Sequence, residues 1–250
     1  MRRSFGARPV IALATFVMLV LASPAHAGRT HFAWLYGTDI VPERGTEIET
    51  WILEENEEGP DKTRETAFWW GPVFAPTQHL ELAILGEAAF EDERDGKAGI
   101  HFTRWGAEVR YRLQSPDLVD AGPFATKLRF GAKRLIEDRA GYQLEADVIA
   151  SLTMGRFHAA IDLGGVAEMF PGNSEQQFRP GAGACVRVTR DLRIGAEMYG
   201  ELVISGPGTS WLVVGPSVAL TSGRIWVAAA YGIGVFGIRD APRITFGVAL

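Results

Sequence analysis

Four histidines beyond residue 27 are the side chains best suited to acid–base chemistry: His31, His79, His101 and His158. A hydrolytic site would need one of them beside a nucleophile and an orienting acid. No serine stands in a recognisable nucleophile setting beside His101, which the strand pattern places on an outer face near a rim. A lipid-cleaving role for His101 is therefore a minor hypothesis. The sequence predicts no enzyme and no catalytic residue.

Ligands for metals or thiol chemistry are equally sparse. The acidic runs Glu54–Glu58 and Glu91–Asp95 lack the spacing of a calcium loop. Cys185 is the single cysteine, so an internal disulfide or a paired-thiol zinc site is excluded. His158 shares a predicted inward strand face with Asp162 and is expected to join an ionic ladder. We predict no metal and no cofactor.

The first 27 residues have the features of an export signal. Three arginines precede an apolar run over Val10–Ala22, and Ala25-His26-Ala27 gives a small-x-small cleavage pattern. The apolar run is too short to cross a bilayer comfortably. We predict that residues 1–27 are a cleaved signal peptide rather than an anchor.

Charge and hydropathy narrow the class of the remaining chain. Without the three arginines of the signal, 22 of the 25 basic residues stand against 30 acidic ones, a formal net charge of −8. This acidity argues against nucleic acid as a partner. The remaining chain has no apolar stretch of the length that a membrane helix needs, yet the mean hydropathy of the whole chain is slightly positive at +0.04. A soluble β-sandwich and a membrane β-barrel are the two classes left to compare.

Most segments after residue 46 alternate between apolar and polar side chains. In Phe102–Leu113, Trp105, Val109 and Tyr111 fall on one face, and charged residues fall on the other. The strands are long enough to cross a bilayer when tilted, and their apolar faces carry no mid-strand charge. Aromatic residues also cluster near the ends of these faces, as they do at membrane interfaces. These features favour the membrane barrel.

The segments give about twelve strands, an even number typical of single-chain outer-membrane barrels. They cover residues 46–55, 64–75, 78–90, 100–113, 122–136, 141–153, 155–168, 176–189, 191–203, 209–221, 223–236 and 241–250. Short and long connections alternate, which predicts that both termini are periplasmic. The predicted fold is all-β, a transmembrane antiparallel up-and-down barrel over residues 46–250 in the cell outer membrane. Residues 28–45 form a pre-barrel segment, interpreted as a plug or a periplasmic rim.

The inward faces carry bands of opposite charge, with two tryptophans near the end of the chain. The residues expected to line the lumen are Arg104, Glu108, Arg110, Arg112, Lys127, Arg129, Glu145, Asp147, Asp162, Arg187, Glu197, Trp211 and Trp226. Neighbouring strands of opposite sign would form ion-pair ladders. Two interpretations stay open: a polar channel that selects solutes, and an ion-paired, occluded interior that stabilises the barrel.

The last three strands have an apolar inward face, which is unfavourable against water. Three ways of covering it are open. The pre-barrel segment Thr30–Gly45, with its alternating aromatic residues, could tuck into the lumen or the periplasmic mouth. An apolar solute in transit could also cover the face, or Trp211, Trp226 and Phe236 could pack against one another.

The start of the chain after the signal resembles that of known proteins. The residues that carry the resemblance are Phe32–Asp39, Pro42, Gly45 and the strand start Glu47-Ile48-Glu49-Thr50-Trp51. This start resembles a group of uncharacterised outer-membrane barrels that begin with an aromatic-rich segment, a turn and a Glu-x-Glu-x-Trp strand. They are similar to proteins described loosely as transporters, including some linked to aromatic-compound degradation. The resemblance covers the N-terminal quarter and implies a barrel that passes small solutes, with no functional residue carried over.

The expected partners follow from this fold. They are outer-membrane lipid and lipopolysaccharide, the barrel assembly machinery and small solutes. The last strand, with Ile244, Phe246, Val248 and Leu250 on one face, resembles the terminal signal read by that machinery. The leading prediction is a passive channel or transporter for small solutes. The alternatives are a structural barrel with a closed, ion-paired lumen and, third, a lipid-modifying enzyme.

Overall fold

The computed structural model describes residues 30–56, 64–91, 99–114, 123–136 and 140–250. The predicted signal peptide lies outside these residues. Twelve strands are seen: β1 Thr46–Asn56, β2 Arg64–Thr77, β3 Leu80–Glu91, β4 Gly99–Arg112, β5 Phe124–Leu135, β6 Tyr142–Met154, β7 Phe157–Phe170, β8 Asn173–Arg187, β9 Leu192–Ser205, β10 Trp211–Ser222, β11 Ile225–Phe236 and β12 Asp240–Ala249.

The strands form one closed barrel in which each strand pairs antiparallel with its neighbours in sequence, and β1 pairs with β12. This confirms the predicted twelve-stranded up-and-down barrel, and each strand end lies within three residues of its predicted position. Within the described part of the chain, no helix is long and apolar enough to cross a membrane.

Both ends of the barrel sequence lie at the same mouth. The backbone N–H of Leu250 donates to the carbonyl of Thr46 at 2.9 Å. Tight turns return the chain at this mouth, and Gly155 and Gly223 each adopt a φ of 60° there. A side chain would strain that left-handed backbone. Residues 30–45 therefore enter the structure beside this mouth, which we call the terminal mouth.

The two faces of the wall differ sharply in polarity. Large apolar side chains point outward, as Ile84 (66% exposed) and Trp105 (59% exposed) show. Charged side chains that alternate with them point inward and are almost completely covered, including Glu108 (1% exposed) and Arg129 (3% exposed). A strand has a side-chain period of two, so one register turns the charged side chains of a strand such as β5 mostly inward and the large apolar groups at alternate positions outward.

The hypothesis that Trp211, Trp226 and Phe236 pack together is wrong. Register pairs Thr221, at the far end of β10 from Trp211, with Trp226. Ten residues of strand therefore separate the two indoles, roughly 33 Å at the usual rise per residue. Phe236 follows a register shift in the β10–β11 pair and is 44% exposed.

Candidate functional site

Residues 30–45, here called the inner segment, run through the interior of the barrel, and Pro42, Glu43 and Arg44 are exposed before β1 begins. Phe32, Trp34 and Leu35 are each at most 3% exposed. The segment continues into β1 through a turn in which Gly45 N–H donates to Pro42 O at 2.7 Å. Its end pairs with β2, since Arg44 N–H donates to Ala75 O at 2.7 Å, and the buried residues before that pairing lie inside the ring of strands.

Three inward carboxylates bind the backbone of the inner segment. Glu197 on β9 accepts from the N–H groups of Ala33 at 2.8 Å, Trp34 at 2.7 Å and Leu35 at 3.4 Å. A non-helical, non-sheet backbone leaves its N–H groups unpaired, so burial requires such acceptors. Glu197 alone supplies acceptors for three consecutive donors.

Two further carboxylates hold the rest of the segment. Asp162 on β7 accepts from Tyr36 N–H at 3.2 Å, and Glu81 on β3 accepts from Val41 N–H at 2.5 Å. The three acceptors lie on strands well separated around the ring. The inner segment is therefore fixed across the lumen rather than along one wall.

The apolar wall of the last strands lies against the inner segment. The Trp34 ring stacks on Tyr199 at 5.0 Å and meets Trp211 edge-on at 5.8 Å between centroids. Ala33 and Trp34 share one buried cluster with Val213 and other small residues of β10–β12. This contact removes from water the inward face that the sequence left uncovered.

Glycines on β8 make room for the segment on the opposite side. A Cβ atom on Gly181 would lie 2.3 Å from Leu35 Cδ2, and one on Gly183 would lie 2.8 Å from Phe32 Cε1. Phe32 and Leu35 pack in a buried cluster with Cys185, which is 2% exposed. The single cysteine therefore lies beneath the inner segment.

This packing predicts that Cys185 reports the position of the inner segment. A maleimide should label Cys185 in the folded chain far more slowly than in the unfolded chain. Gly183→Leu should displace Phe32 and raise the labelling rate at least tenfold, because a branched side chain cannot share that space. Labelling kinetics by mass spectrometry give the measurement.

Ala182→Leu is the matched control, since Ala182 lies on the opposite face of the same strand and pairs with Ile161. Its labelling rate should stay at the wild-type value. Equal rates for Gly183→Leu and wild type would contradict the placement of Phe32 over Cys185.

A stacked histidine pair joins the inner segment to β7. The rings of His31 and His158 lie 4.0 Å apart, and His158 Nδ1 is 2.8 Å from Thr153 Oγ1. The expectation that His158 joins an ionic ladder with Asp162 is wrong. His158 contacts the inner segment through its ring, while Asp162 binds Tyr36 N–H.

Arg129 is the centre of the charged interior. Its guanidinium pairs with Glu108 at 2.5 Å, with Asp147 at 2.5 Å and with Glu145. Its carbon also lies 4.2 Å from the ring centroid of Tyr36. Burial raises the pKa of the Tyr36 phenol well above its usual value, and the charge of Arg129 opposes this only in part. The neutral ring thus covers the ionic centre.

Further ion pairs extend this centre along the lumen. Arg110 binds Glu49 at 2.9 Å and Glu108 at 3.1 Å. Lys133 binds Glu87 at 2.5 Å and Glu145 at 2.7 Å. Arg104 pairs with Glu87 and Glu168, and Arg179 pairs with Glu201 and Glu145. Strands β3 to β6 thus share one continuous network with β1.

The other residues predicted to line the lumen have separate partners. Lys127 donates to the carbonyl of Asp39 at 3.1 Å, and Arg112 lies 3.9 Å from the Asp39 carboxylate. Trp226 Nε1 donates to Glu47. Arg187 is exposed at the terminal mouth, where it donates to the Gly155 carbonyl at 3.5 Å, and it takes no part in the network.

Glu49 and Arg243 are among the residues of the site that were missed from the sequence. Both lie on inward positions that alternation would have identified, since Glu49 shares a face with Trp51 and Arg243 shares one with Thr245. Arg243 lies with its guanidinium carbon 4.7 Å from the Trp51 ring and 5.2 Å from the Trp34 ring.

A cavity of about 310 Å³ remains on the side of the inner segment away from the terminal mouth. We call it the large cavity. A smaller space of about 50 Å³ lies along the inner segment itself. Trp34, Tyr36, Trp51, Trp69 and Arg243 line both spaces, so these side chains form the partition between them.

The described residues contain no cluster of His, Cys, Asp and Glu that could hold a metal ion. His101 lies exposed on β4 opposite Ala89. The site is therefore a charged and aromatic lumen partly filled by the chain's own N-terminal residues.

Comparison with known proteins places the fold among outer-membrane barrels. An outer membrane channel from Pseudomonas putida F1 aligns with a TM-score of 0.56 at 8% identity, covering 84% of this chain and 97% of that chain. The NanC porin gives 0.55 at 7% identity, covering 82% and 100%. The β domain of the Bordetella autotransporter BrkA gives 0.53 at 10% identity, covering 82% and 98%. At these identities the likeness shows the fold alone.

No family model matches the sequence, and no curated protein matches it either. The resemblance in the N-terminal quarter therefore stays a prediction.

Proposed function

We propose that this chain is an outer-membrane barrel that passes small solutes and is closed at rest by its inner segment. The proposal rests on the way in which the lumen is obstructed. The lumen is crossed and partly filled by a segment that precedes the strands and is held by hydrogen bonds to Glu81, Asp162 and Glu197. Twelve strands enclose a lumen intermediate between filled small barrels and open porins. The segment occupies that intermediate space.

The outer surface supports a membrane location. A soluble barrel would not expose residues such as Ile84 and Phe102 around its wall, because the apolar area in water is unfavourable. In a bilayer the same surface is favourable, and a charge there would cost about 2–4 kcal/mol at the midplane. With the terminal mouth facing the periplasm, the large cavity faces the outside.

The test is conductance with and without the inner segment. The chain from residue 28, refolded in a planar bilayer, should be mostly closed. A variant that lacks residues 30–45 should show conductance at least tenfold higher, because the deletion opens the lumen beside the charged side chains of β3 to β6. A variant that lacks only residues 28–29 is the control, because it tests whether a changed N-terminus by itself alters the conductance. A deletion variant that migrates as a folded barrel and does not conduct would refute the proposal.

The second candidate is a structural barrel with a closed lumen. The continuous ion-pair network from Arg110 to Arg179 favours it, since such a network fills space and joins strands across the interior. The same conductance experiment decides between the two, because a structural barrel stays closed after the inner segment is removed.

A further inference from the structure

Arg243 at the base of the large cavity differs from the arginines of the ion-pair network. Its guanidinium is flanked by the rings of Trp34 and Trp51 rather than by a carboxylate, and no ion pair of Arg243 with a described residue is seen. Its Nε atom is buried without an acceptor, as are those of four other described arginines, but each of those four pairs with a carboxylate; they are Arg104, Arg112, Arg129 and Arg179. Cation–π contacts stabilise the charge but leave the N–H donors of its edge unused.

Two more buried donors without acceptors belong to the aromatic group that Arg243 contacts. The indole N–H groups of Trp34 and Trp69 are buried and have no acceptor. Trp69 stacks on Trp51 with centroids 6.4 Å apart, so the aromatic group is continuous. Buried donors are normally satisfied, and an indole or a guanidinium can only donate. Three such donors in one partition call for an acceptor with negative charge.

The carboxylates of the large cavity have partners of their own, including Glu55 and Glu65, which also line it. Glu87 and Glu168 bind Arg104, and Glu201 binds Arg179. Glu145 and Asp147 bind Arg129, and Asp162 accepts from the inner segment. Each of these carboxylates thus has a partner of its own, whereas no ion pair of Arg243 with a described residue is seen.

The wall beside Arg243 is apolar. Leu53, Ala67, Ala88 and Ala89 line the large cavity together with Trp34. The cavity volume of about 310 Å³ lies at the low end of the range of about 300–1,000 Å³ usual for small-molecule sites. A ligand that fits has one anionic end and a short apolar body.

We propose that the partition binds a small organic monocarboxylate, with its carboxylate on Arg243 and its apolar body against Leu53 and the alanines. A carboxylate offers two coplanar oxygens that match the edge of a guanidinium. The inference deepens the proposed function, on which it rests, by naming the solute class that stops at the partition on its way through.

The test is equilibrium binding of hexanoate to the chain from residue 28 refolded in detergent, measured by isothermal titration calorimetry. Hexanoate should bind at least tenfold more tightly than hexanamide, its uncharged analogue, and than hexylammonium, its cationic analogue. Arg243→Gln should weaken hexanoate binding at least tenfold. Arg239→Gln is the control, because Arg239 is exposed in the β11–β12 connection and pairs with Asp240.

Equal binding of hexanoate and hexanamide, or unchanged binding in Arg243→Gln, would overturn the inference. If Arg243→Gln does not fold, as judged by heat-modifiable gel migration, Arg243→Lys replaces it. Lysine keeps the positive charge but lacks the planar edge of a guanidinium, so the affinity for hexanoate should fall. An unchanged affinity would again overturn the assignment. Binding needs no open pore. If hexanoate binds selectively but the variant lacking residues 30–45 does not conduct, only the transport proposal is rejected. If that variant conducts but hexanoate does not bind the full chain, only this binding site is rejected.

Discussion

Arg129→Met should lower the free energy of unfolding by about 3–5 kcal/mol, the usual cost of removing one partner from a buried ion pair. Arg129 is 3% exposed and faces Glu108, Glu145 and Asp147. Its loss leaves several buried carboxylates with less compensation than their desolvation requires. Reversible urea titration of the barrel folded in lipid vesicles measures the change.

The matched control for Arg129→Met is Arg134→Met on the same strand. Arg134 is exposed near the end of β5, so its replacement should change stability by no more than about 0.5 kcal/mol. A double variant, Arg129→Met with Glu145→Gln, should recover part of the loss, because it removes one of the uncompensated charges. Equal destabilisation by the two single substitutions would contradict a central role for Arg129.

The strands and their faces could be predicted because a β-barrel is specified locally. Alternation in Tyr142–Met154, for example, places Gln143, Glu145 and Asp147 on one face whatever the rest of the chain does. A membrane barrel strengthens this pattern, because the outer face is apolar and the inner face is charged. The period-two alternation of apolar and polar side chains was therefore sufficient to predict the twelve strands and their approximate bounds.

The contacts within the lumen could not be read in the same way. Alternation predicts that a side chain points inward. It does not predict the height of that side chain in the lumen or the strand that it contacts across the lumen. Arg110 lies next to Arg129 in the β4–β5 register, which would be unfavourable if pairing were between direct neighbours alone. The structure resolves this with Glu108 on the same strand and with Glu49 from β1.

The sequence pattern also could not predict the path of the inner segment through the lumen. Its aromatic residues at alternate positions suggested that it could cover the apolar wall, but they did not identify Glu197 as its acceptor. A carboxylate on a β-strand in a charged lumen gives no sign that it binds backbone N–H groups rather than a lysine. The glycines at 181 and 183 were the available signal, since small residues on an inward face leave room for another segment.

Glu197→Ala should release the inner segment. The substitution removes the acceptor of three N–H groups, those of Ala33, Trp34 and Leu35. A buried donor left without an acceptor costs about 1–3 kcal/mol, and a single such loss at the low end already shifts the bound state about fivefold. Because three donors are affected, we expect the labelling rate of Cys185 to rise by at least a hundredfold.

Glu201→Ala separates this effect from a general weakening of β9. Glu201 lies four residues further on the same strand and pairs with Arg179 instead of the inner segment. Its loss should destabilise the barrel in urea but leave Cys185 protected under native conditions. If both variants exposed Cys185 equally, the hydrogen bonds to Glu197 would not be what holds the segment. If only Glu197→Ala exposed it and also conducted ions, the same carboxylate would control both the position of the segment and the opening of the lumen.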